Sequence, residues 1–257
     1  MRKVIVLVKK ELMESSRKYK LLVMLISFFL IGIISPIGTK YLGEILRQLL
    51  PEGYVLNVRK ASEIEAYFQF FKNLSQIGLI VLIFVTSSLM SEELEKRTIV
   101  NVLTKGIDRK YIIISKFLSS SLIWAISYTI SFVAFRYYVG VFWKNEISIL
   151  PVTYSNLIVF EYGLLIIGIN ILLGLILKNR ILTVVFCFIF NLLQMFISIF
   201  PQMYKILPIS LLSQCVYIVE GKITIAETSI ATVITLVCII LSLLLAIYLF
   251  RRKEIEQ

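Results

Sequence analysis

Long uncharged stretches alternate with short charged segments along the chain. Six of the uncharged stretches are long enough for a membrane-spanning helix, which needs about 18 or more apolar residues. A single charged residue, Glu161, interrupts them. The pattern therefore predicts an all-α integral membrane protein, one transmembrane domain over residues 1–257 whose six spans lie at residues 21–39, 73–91, 117–135, 155–177, 181–204 and 228–250.

The charged segments between the spans predict the orientation in the membrane. If the N-terminus is cytoplasmic, the cytoplasmic segments hold 18 Lys and Arg residues and the outer segments hold 9. Because Lys and Arg are enriched in cytoplasmic loops, both termini are expected in the cytoplasm. The net charge of +11 then reflects basic rims that face anionic lipid headgroups, and it requires no nucleic-acid partner.

The amino-acid composition excludes several kinds of catalytic and metal-binding site. The 58% hydrophobic content is above that of a soluble domain. The chain has no histidine and no CxxC pair, and its three cysteines are expected to be free thiols. The nearest approach to a phosphate-binding loop, residues 32–40, has the wrong glycine spacing and lies in a span. We therefore expect no catalytic, cofactor or metal site in this chain.

The charged segment between the second and third spans, residues 92–116, has helix signals at both ends. Ser91 is a candidate N-cap, three acidic residues follow in the first turn, and Gly106 suits the left-handed position after a C-terminus. These signals predict an amphipathic helix over 91–104, and Asp108 is expected to cap the next helix. Such a helix either rests on lipid headgroups or docks a cytosolic partner.

Three further segments outside the spans are predicted to be helical. Residues 1–20 form an interfacial helix whose apolar stripe is Ile5, Val8 and Leu12. Ser62 and Glu65 form a capping box within the outer segment 40–72, for a helix that runs into the second span. The outer segment 205–227 contains an uncharged run too short to cross the membrane, which predicts short re-entrant helices separated from the fifth span by Pro208.

Taken together, these elements resemble the permease subunits of bacterial type 2 ABC exporters. The resemblance includes the "KKEL" sequence before the first span, six spans and the charged helix between the second and third. Within residues 92–116 the matching residues are Glu95, Thr98, Leu103, Ile107, Arg109 and Lys116. Arg97 stands where that family usually has Gly, and Gly106 where it usually has Pro.

The resemblance implies that the charged segment is a coupling helix for a separate ATP-binding subunit, which would bind the ATP and Mg²⁺. It implies two permeases with two such subunits in a bacterial cell membrane, with the permeases forming a homodimer or a heterodimer. Contact between permeases is expected through the first and fifth spans, at Gly32, Ser35, Asn191 and Gln194. The implied coupling residues are Glu92, Glu93, Glu95, Arg97, Thr98, Asn101, Leu103, Thr104 and Arg109.

Polar and aromatic residues inside the spans are candidates for a substrate path. Such residues often only bond neighbouring helices, so both interpretations stay open. Glu161 either reaches the outer interface or lines the path. By analogy with the family, the cargo is expected to be an amphipathic peptide such as a bacteriocin, lantibiotic or modulin-like toxin, or else a hydrophobic drug. The candidate path residues are Trp124, Tyr128, Glu161, Asn170, Asn191, Gln194 and Ser198.

Two other classes of protein fit the same pattern of spans. One is a channel or secondary transporter that works without an ATPase, although such carriers usually place ionisable residues within their spans. The other is a non-transporting immunity or sensor subunit.

Overall fold

The computed structural model describes residues 2–49, 61–104, 106–144 and 147–252, with the side chains of residues 2, 43–49, 101 and 102 excepted. Every regular element within those ranges is helical, as predicted. The helices are α1 (Arg2–Arg17), α2 (Lys20–Leu49), α3 (Glu63–Asn73), α4 (Leu79–Thr86), α5 (Ser88–Glu95), α6 (Val100–Leu103), α7 (Arg109–Trp143), α8 (Ile149–Leu177), α9 (Arg180–Ile197), α10 (Pro201–Tyr204), α11 (Leu211–Val219) and α12 (Ile225–Arg252), with a π-helical turn at Leu74–Gly78 and a 3₁₀ turn at Pro208–Ser210.

Six helical segments of the described chain are long and apolar enough to cross a membrane, which confirms the predicted number of spans. They are α2, the continuous segment Glu63–Glu95, α7, α8, α9 and α12. The 35 residues of α7 are about 52 Å long at 1.5 Å per residue, longer than the roughly 30 Å hydrocarbon core. Several helices thus continue past their uncharged centres.

The spans alternate in direction, which brings distant segments together at each end of the bundle. At the end we call the N-terminal end, Arg109 at the start of α7 bonds the last carbonyls of α12, and Lys116 bonds Glu11 of α1. At the opposite end, the far end, Trp143 at the end of α7 bonds the carbonyl of Ala61. The fourth span is the most buried within the protein and the fifth span the least, since only 22% of the fifth span is buried.

Local sequence signals placed several helix ends correctly. Ser62 and Glu65 form the predicted capping box of α3, and Asp108 caps α7 by accepting a hydrogen bond from the Lys110 amide. Gly106 has the predicted left-handed backbone, with φ of 68°. Pro208 begins a new turn after the fifth span, as predicted.

The predicted helix over 91–104 is wrong. Glu92, Glu93 and Glu95 belong to α5, the last two turns of the second span, and Ser91 lies buried inside that helix. The Ser91 hydroxyl donates to the carbonyl of Ser87 at 2.6 Å, so it serves its own helix and caps none. Arg97, with φ of 55°, ends the helical path, and only the four-residue α6 follows.

The face of α1 that packs on the bundle is not its apolar stripe. Leu7, Glu11 and Ser15 face the bundle, whereas Ile5 of the stripe is 67% exposed, and the expectation that the stripe lies in the membrane interface stays a prediction. The inward face is partly polar because Glu11 meets Lys116 of α7. Similarly, α3 buries Tyr67 and Phe71 but leaves Ile64 and Phe68 exposed.

The small residues of the first span are used within the protomer, and the expectation that they face a second copy is wrong. A Cβ atom at Gly32 would collide with the carbonyl oxygen of Ser131 in α7, so the glycine allows α2 and α7 to pack closely. Ser35 is fully buried and accepts a hydrogen bond from Asn73 at 2.9 Å.

Candidate functional site

An exposed turn projects from the N-terminal end of the bundle, directly after α5. Glu95, Lys96, Arg97 and Thr98 are exposed, and we call these four residues the 95–98 turn. Ile99, which is fully buried, anchors the turn from behind. The turn therefore presents one acidic and two basic side chains to solvent on a fixed base.

A buried ion cluster lies behind the turn. The Lys116 Nζ atom is 2.9 Å from a Glu93 carboxylate oxygen and 3.1 Å from a Glu11 oxygen, and the Lys116 side chain is 1% exposed. Lys10 Nζ is 2.9 Å from the other Glu93 oxygen. These four residues join α1, the end of the second span and the start of the third, and we call them the ion cluster. Glu93 is thus an internal residue, although its spacing suggested a surface one.

Glu92, the neighbouring residue, binds a different set of cations. Its carboxylate lies 3.2 Å from Lys18 Nζ, 3.9 Å from Lys20 Nζ and 3.2 Å from the guanidinium of Arg180, the first residue of α9. Consecutive glutamates therefore connect α5 to different parts of the bundle, Glu93 to the third span and Glu92 to the fifth.

Glu14 and its lysine neighbours extend this charged region along α1. Although partial burial opposes ionisation, the hydrogen bond from Lys18 and the charge of Lys10 lower the pKa of the Glu14 carboxyl to about 2. Burial likewise opposes the charge on Lys10, but the Glu11 and Glu93 carboxylates hold the pKa of Lys10 above its usual range. Carboxylate oxygens of Glu11, Glu14 and Glu93 lie within 4.8 Å of one another, and the lysines already supply the positive charge that they need.

The remaining residues of the implied coupling set are in different environments. Arg109 donates from its guanidinium to the carbonyls of Phe250 and Arg251, at 2.5 and 3.0 Å, so it binds the C-terminal end of α12. Leu103 packs against the core and Thr104 is exposed. The side chain of Asn101 is outside the described residues. The structure thus groups Glu95, Arg97, Thr98 and Thr104 as exposed and places Glu92, Glu93, Leu103 and Arg109 behind them.

The candidate path residues of the third span lie in the core of the protomer. Trp124 is 1% exposed, donates to the Phe160 carbonyl at 3.0 Å and stacks on the Phe160 ring. The Tyr128 hydroxyl donates to Asn156 at 2.9 Å. These contacts join the third and fourth spans, which is the structural role that sequence left open.

Polar residues of the fourth and fifth spans also bond within the protomer. Asn170 donates to the Thr86 hydroxyl at 2.7 Å, and Asn191 accepts from the Tyr162 hydroxyl at 2.7 Å. Gln194 accepts from the Ile209 amide at 3.2 Å, which connects the fifth span to the short helices of the far end. Ser198 donates only locally, to the Met195 carbonyl.

Glu161 lies inside the protomer. Its side chain is 8% exposed, and its Oε1 atom has no hydrogen-bond partner among the described residues. Tyr154, seven residues earlier, bonds Thr228, and Gly168, seven residues later, lies against Ser242. Because both pairs are 74 positions apart, this register places Glu161 level with Thr235 of α12.

Sequence reasoning missed the partners that organise the site, namely Glu11, Lys10, Lys116 in its buried role, Arg180 and Tyr162. One local signal was available for Lys116 and Arg180, because each is a cation directly before a long uncharged stretch. Neither signal specifies a partner.

Comparison with known proteins agrees with this architecture. The sequence matches a family model described as "ABC-2 family transporter protein" over residues 5–255, nearly the whole chain. No curated protein matches the chain. The family match extends over all six apolar helices. This multi-pass membrane protein therefore belongs to the ABC-2 family of transporter proteins.

Proposed function

We propose that this protein is the transmembrane subunit of an ATP-driven exporter and that the 95–98 turn docks a separate ATP-binding subunit. The exposed turn on the ion cluster is the observation that carries the proposal, because it offers a charged surface with rigid support. In this assignment the N-terminal end faces the cytoplasm, in agreement with its excess of Lys and Arg. The membrane is the bacterial plasma membrane.

ATP and Mg²⁺ bind to the partner subunit in this proposal, and hydrolysis occurs there. Glu95, Arg97, Thr98 and Thr104 make the docking contacts from their exposed positions, and Asn101 is included on the strength of its place in the sequence. Glu92, Glu93 and Arg109 support the docking surface indirectly, because their side chains bond other helices of the bundle.

The complete exporter contains two permease copies and two ATP-binding subunits in this proposal. Gly32 and Ser35 already contact other helices of the same protomer. The two permeases therefore pair through the exposed apolar sides of their first and fifth spans. The fifth span supports this choice because most of its apolar surface is uncovered. These exposed side chains include Ile26, Phe29, Leu30, Leu192, Leu193 and Phe196.

An amphipathic peptide is the proposed cargo, with a hydrophobic drug as the alternative. A path between two copies lined by the fifth span would be mostly apolar, which suits the apolar face of such a peptide. Asn191, Gln194 and Ser198 are the polar groups nearest to that surface, and Glu161 is an acidic group behind it.

Recovery of the co-expressed ATP-binding subunit with the tagged permease tests the docking role. Reversing two of the three charges of the turn, with Glu95→Lys and Arg97→Glu, should lower recovery several-fold. Glu220→Lys, at a partly exposed ion pair with Lys222 outside the spans, is the matched control and should leave recovery unchanged. Equal recovery from all three proteins would refute docking at this turn.

Transport is tested separately, with a fluorescently labelled amphipathic helical peptide and inverted membrane vesicles that hold the complex. ATP-dependent uptake of the peptide supports the exporter assignment. Uptake that is independent of ATP would instead favour a channel or secondary transporter, and an active ATPase without uptake of peptide or of a hydrophobic dye would favour a sensor.

A further inference from the structure

The second span is interrupted at Ser87, between α4 and α5. The carbonyl of Phe84, which in a regular helix would accept from the amide of Ser88, instead lies 3.0 Å from the Ser87 hydroxyl and 3.4 Å from Arg180 Nη2. The Ser88 hydroxyl bonds the Val85 carbonyl in the same way. Serine hydroxyls that bond the preceding turn weaken and bend helices, so α5 can move separately from α4.

The part of the second span before the interruption is held by the fourth span. Asn170, which is fully buried in α8, donates to the hydroxyl of Thr86, the last residue of α4. The part after it is held differently, because Glu93 of α5 is bound to Lys116 and Lys10. Thus both parts pack on the fourth span, α5 through Met90 and Ser91 against Gly174, and α5 is in addition bound to α1 and to the start of α7.

Arg180 connects the fifth span to both sides of the interruption, through the Phe84 carbonyl of α4 and the Glu92 carboxylate of α5. It is the first residue of α9, where the helix dipole disfavours a cation, and Glu92 of α5 offsets that cost at 3.2 Å. Its side chain is 47% exposed, in contrast to the 1% of Lys116. A half-exposed ion pair is weak and can re-form, whereas a buried one resists separation.

We propose that Arg180 is a positioning residue, through which a displacement of the 95–98 turn moves the fifth span. The inference rests on the proposed function. The ion cluster ties α5 to α1 and to the start of α7, and the Ser87 interruption allows the second span to bend between α4 and α5. The Glu92–Arg180 pair then carries the motion to α9, the least enclosed span and therefore the one freest to follow.

The experiment uses the assembled complex in nanodiscs, with spin labels on the exposed positions Val185 of α9 and Leu118 of α7. The partly exposed Cys238 is replaced by Ser, while Cys187 and Cys215 are buried and can be retained. The distance between the labels is measured without nucleotide and with ATP plus vanadate. The expected result is a shift in the unsubstituted complex that Arg180→Gln reduces by more than half and Arg180→Lys largely preserves.

Glu92→Gln removes the same contact from the other side and should give the same loss. Lys222→Gln, at the exposed ion pair with Glu220, is the control and should leave the shift unchanged. A normal shift with Arg180→Gln overturns the proposal, as does the absence of any shift in the unsubstituted complex. Loss of the ATP-binding subunit from both the Arg180→Gln and Glu92→Gln proteins also overturns it, since the pair would then serve assembly. Failure of the unsubstituted chain to bind that subunit would instead refute the proposed function.

Discussion

The two halves of the bundle are held together by different interactions. At the N-terminal end, ion pairs join α1 and the second, third and fifth spans, with Lys116 at the centre. Toward the far end, the contacts between spans are mostly neutral: Trp124 with Phe160, Tyr128 with Asn156, and Tyr162 with Asn191, beside an ion pair of Arg136 with Glu63 at 3.5 Å. The fold thus concentrates charge at one end and uses mainly aromatic packing with neutral hydrogen bonds elsewhere.

The difference follows from the cost of burying each kind of group in a membrane. A charged side chain is tolerated near the headgroups, where water and other charges are close, and it becomes expensive toward the centre of the bilayer. Neutral amides and hydroxyls cost less there and bond across helices. A half-exposed ion pair such as Glu92–Arg180 is also able to exchange partners, so the rim of the charged end is suited to movement, whereas the buried Lys116 pairs and the neutral half hold their shape.

Removing the central cation should have the largest effect on stability. Lys116→Met leaves the Glu11 and Glu93 carboxylates buried with only Lys10 nearby, and breaking a buried ion pair costs about 3–5 kcal/mol. A fall in the melting temperature of the detergent-purified permease would show this. Lys110→Met is the control, because Lys110 pairs only with the exposed Asp108 among the acidic residues described. Similar melting temperatures for both variants would show that the charged end contributes little.

Overpacking the neutral half should have the next largest effect. A Cβ atom at Gly163 would collide with the indole ring of Trp124, so Gly163→Ala should cost about 1–3 kcal/mol by forcing the ring from its position. Gly38→Ala is the matched control, since nothing lies near its Cβ position, and it should be neutral or stabilising. Thermal unfolding followed by Trp fluorescence would distinguish them, and an unaltered Gly163→Ala protein would mean that the packing is looser than described.

A smaller loss is expected at the link between the fifth span and the far-end helices. Gln194→Leu leaves the Ile209 amide without this partner, and because this hydrogen bond is only partly buried the cost should be about 1 kcal/mol, the lower end of the range for an unsatisfied donor. Ser198→Ala, which removes only a local bond, should have little effect. The yield of folded permease in mild detergent measures both. Normal yield and melting temperature with reduced peptide uptake would instead assign Gln194 to the substrate path.

The spans could be predicted because a long apolar run is a property of consecutive residues. The same holds for the caps at Ser62 and Asp108 and for Gly106, whose signals lie within a few positions. Ser91 misled the prediction because its hydroxyl can bond either a new helix or its own, and only the continuation of the second span decides between them.

The partners of the charged residues could not be predicted in this way. Glu93 and Lys116 are separated by 23 positions and Glu11 and Lys116 by 105, so nothing local connects them. Gly32 posed a related problem, because a small residue permits close approach without specifying whether the neighbouring helix belongs to the same copy. The candidate site was therefore located by sequence, but its internal and exposed residues were separated only by the structure.

The smallest expected effect is a gain in stability at the 95–98 turn, and it tests whether Arg97 is kept for binding. Its φ of 55° is left-handed, which costs about 1–2 kcal/mol for a residue with a Cβ atom. Glycine avoids that cost but loses about 0.5–1 kcal/mol through the freedom of the unfolded chain, so Arg97→Gly should stabilise the permease by about 0.5 kcal/mol. Lys96→Gly, where φ is −85°, should instead destabilise it. If the guanidinium binds the ATP-binding subunit, Arg97→Gly will melt slightly higher yet recover less of that subunit. Full recovery would show that the shape of the turn, and not the Arg97 side chain, is what the partner recognises.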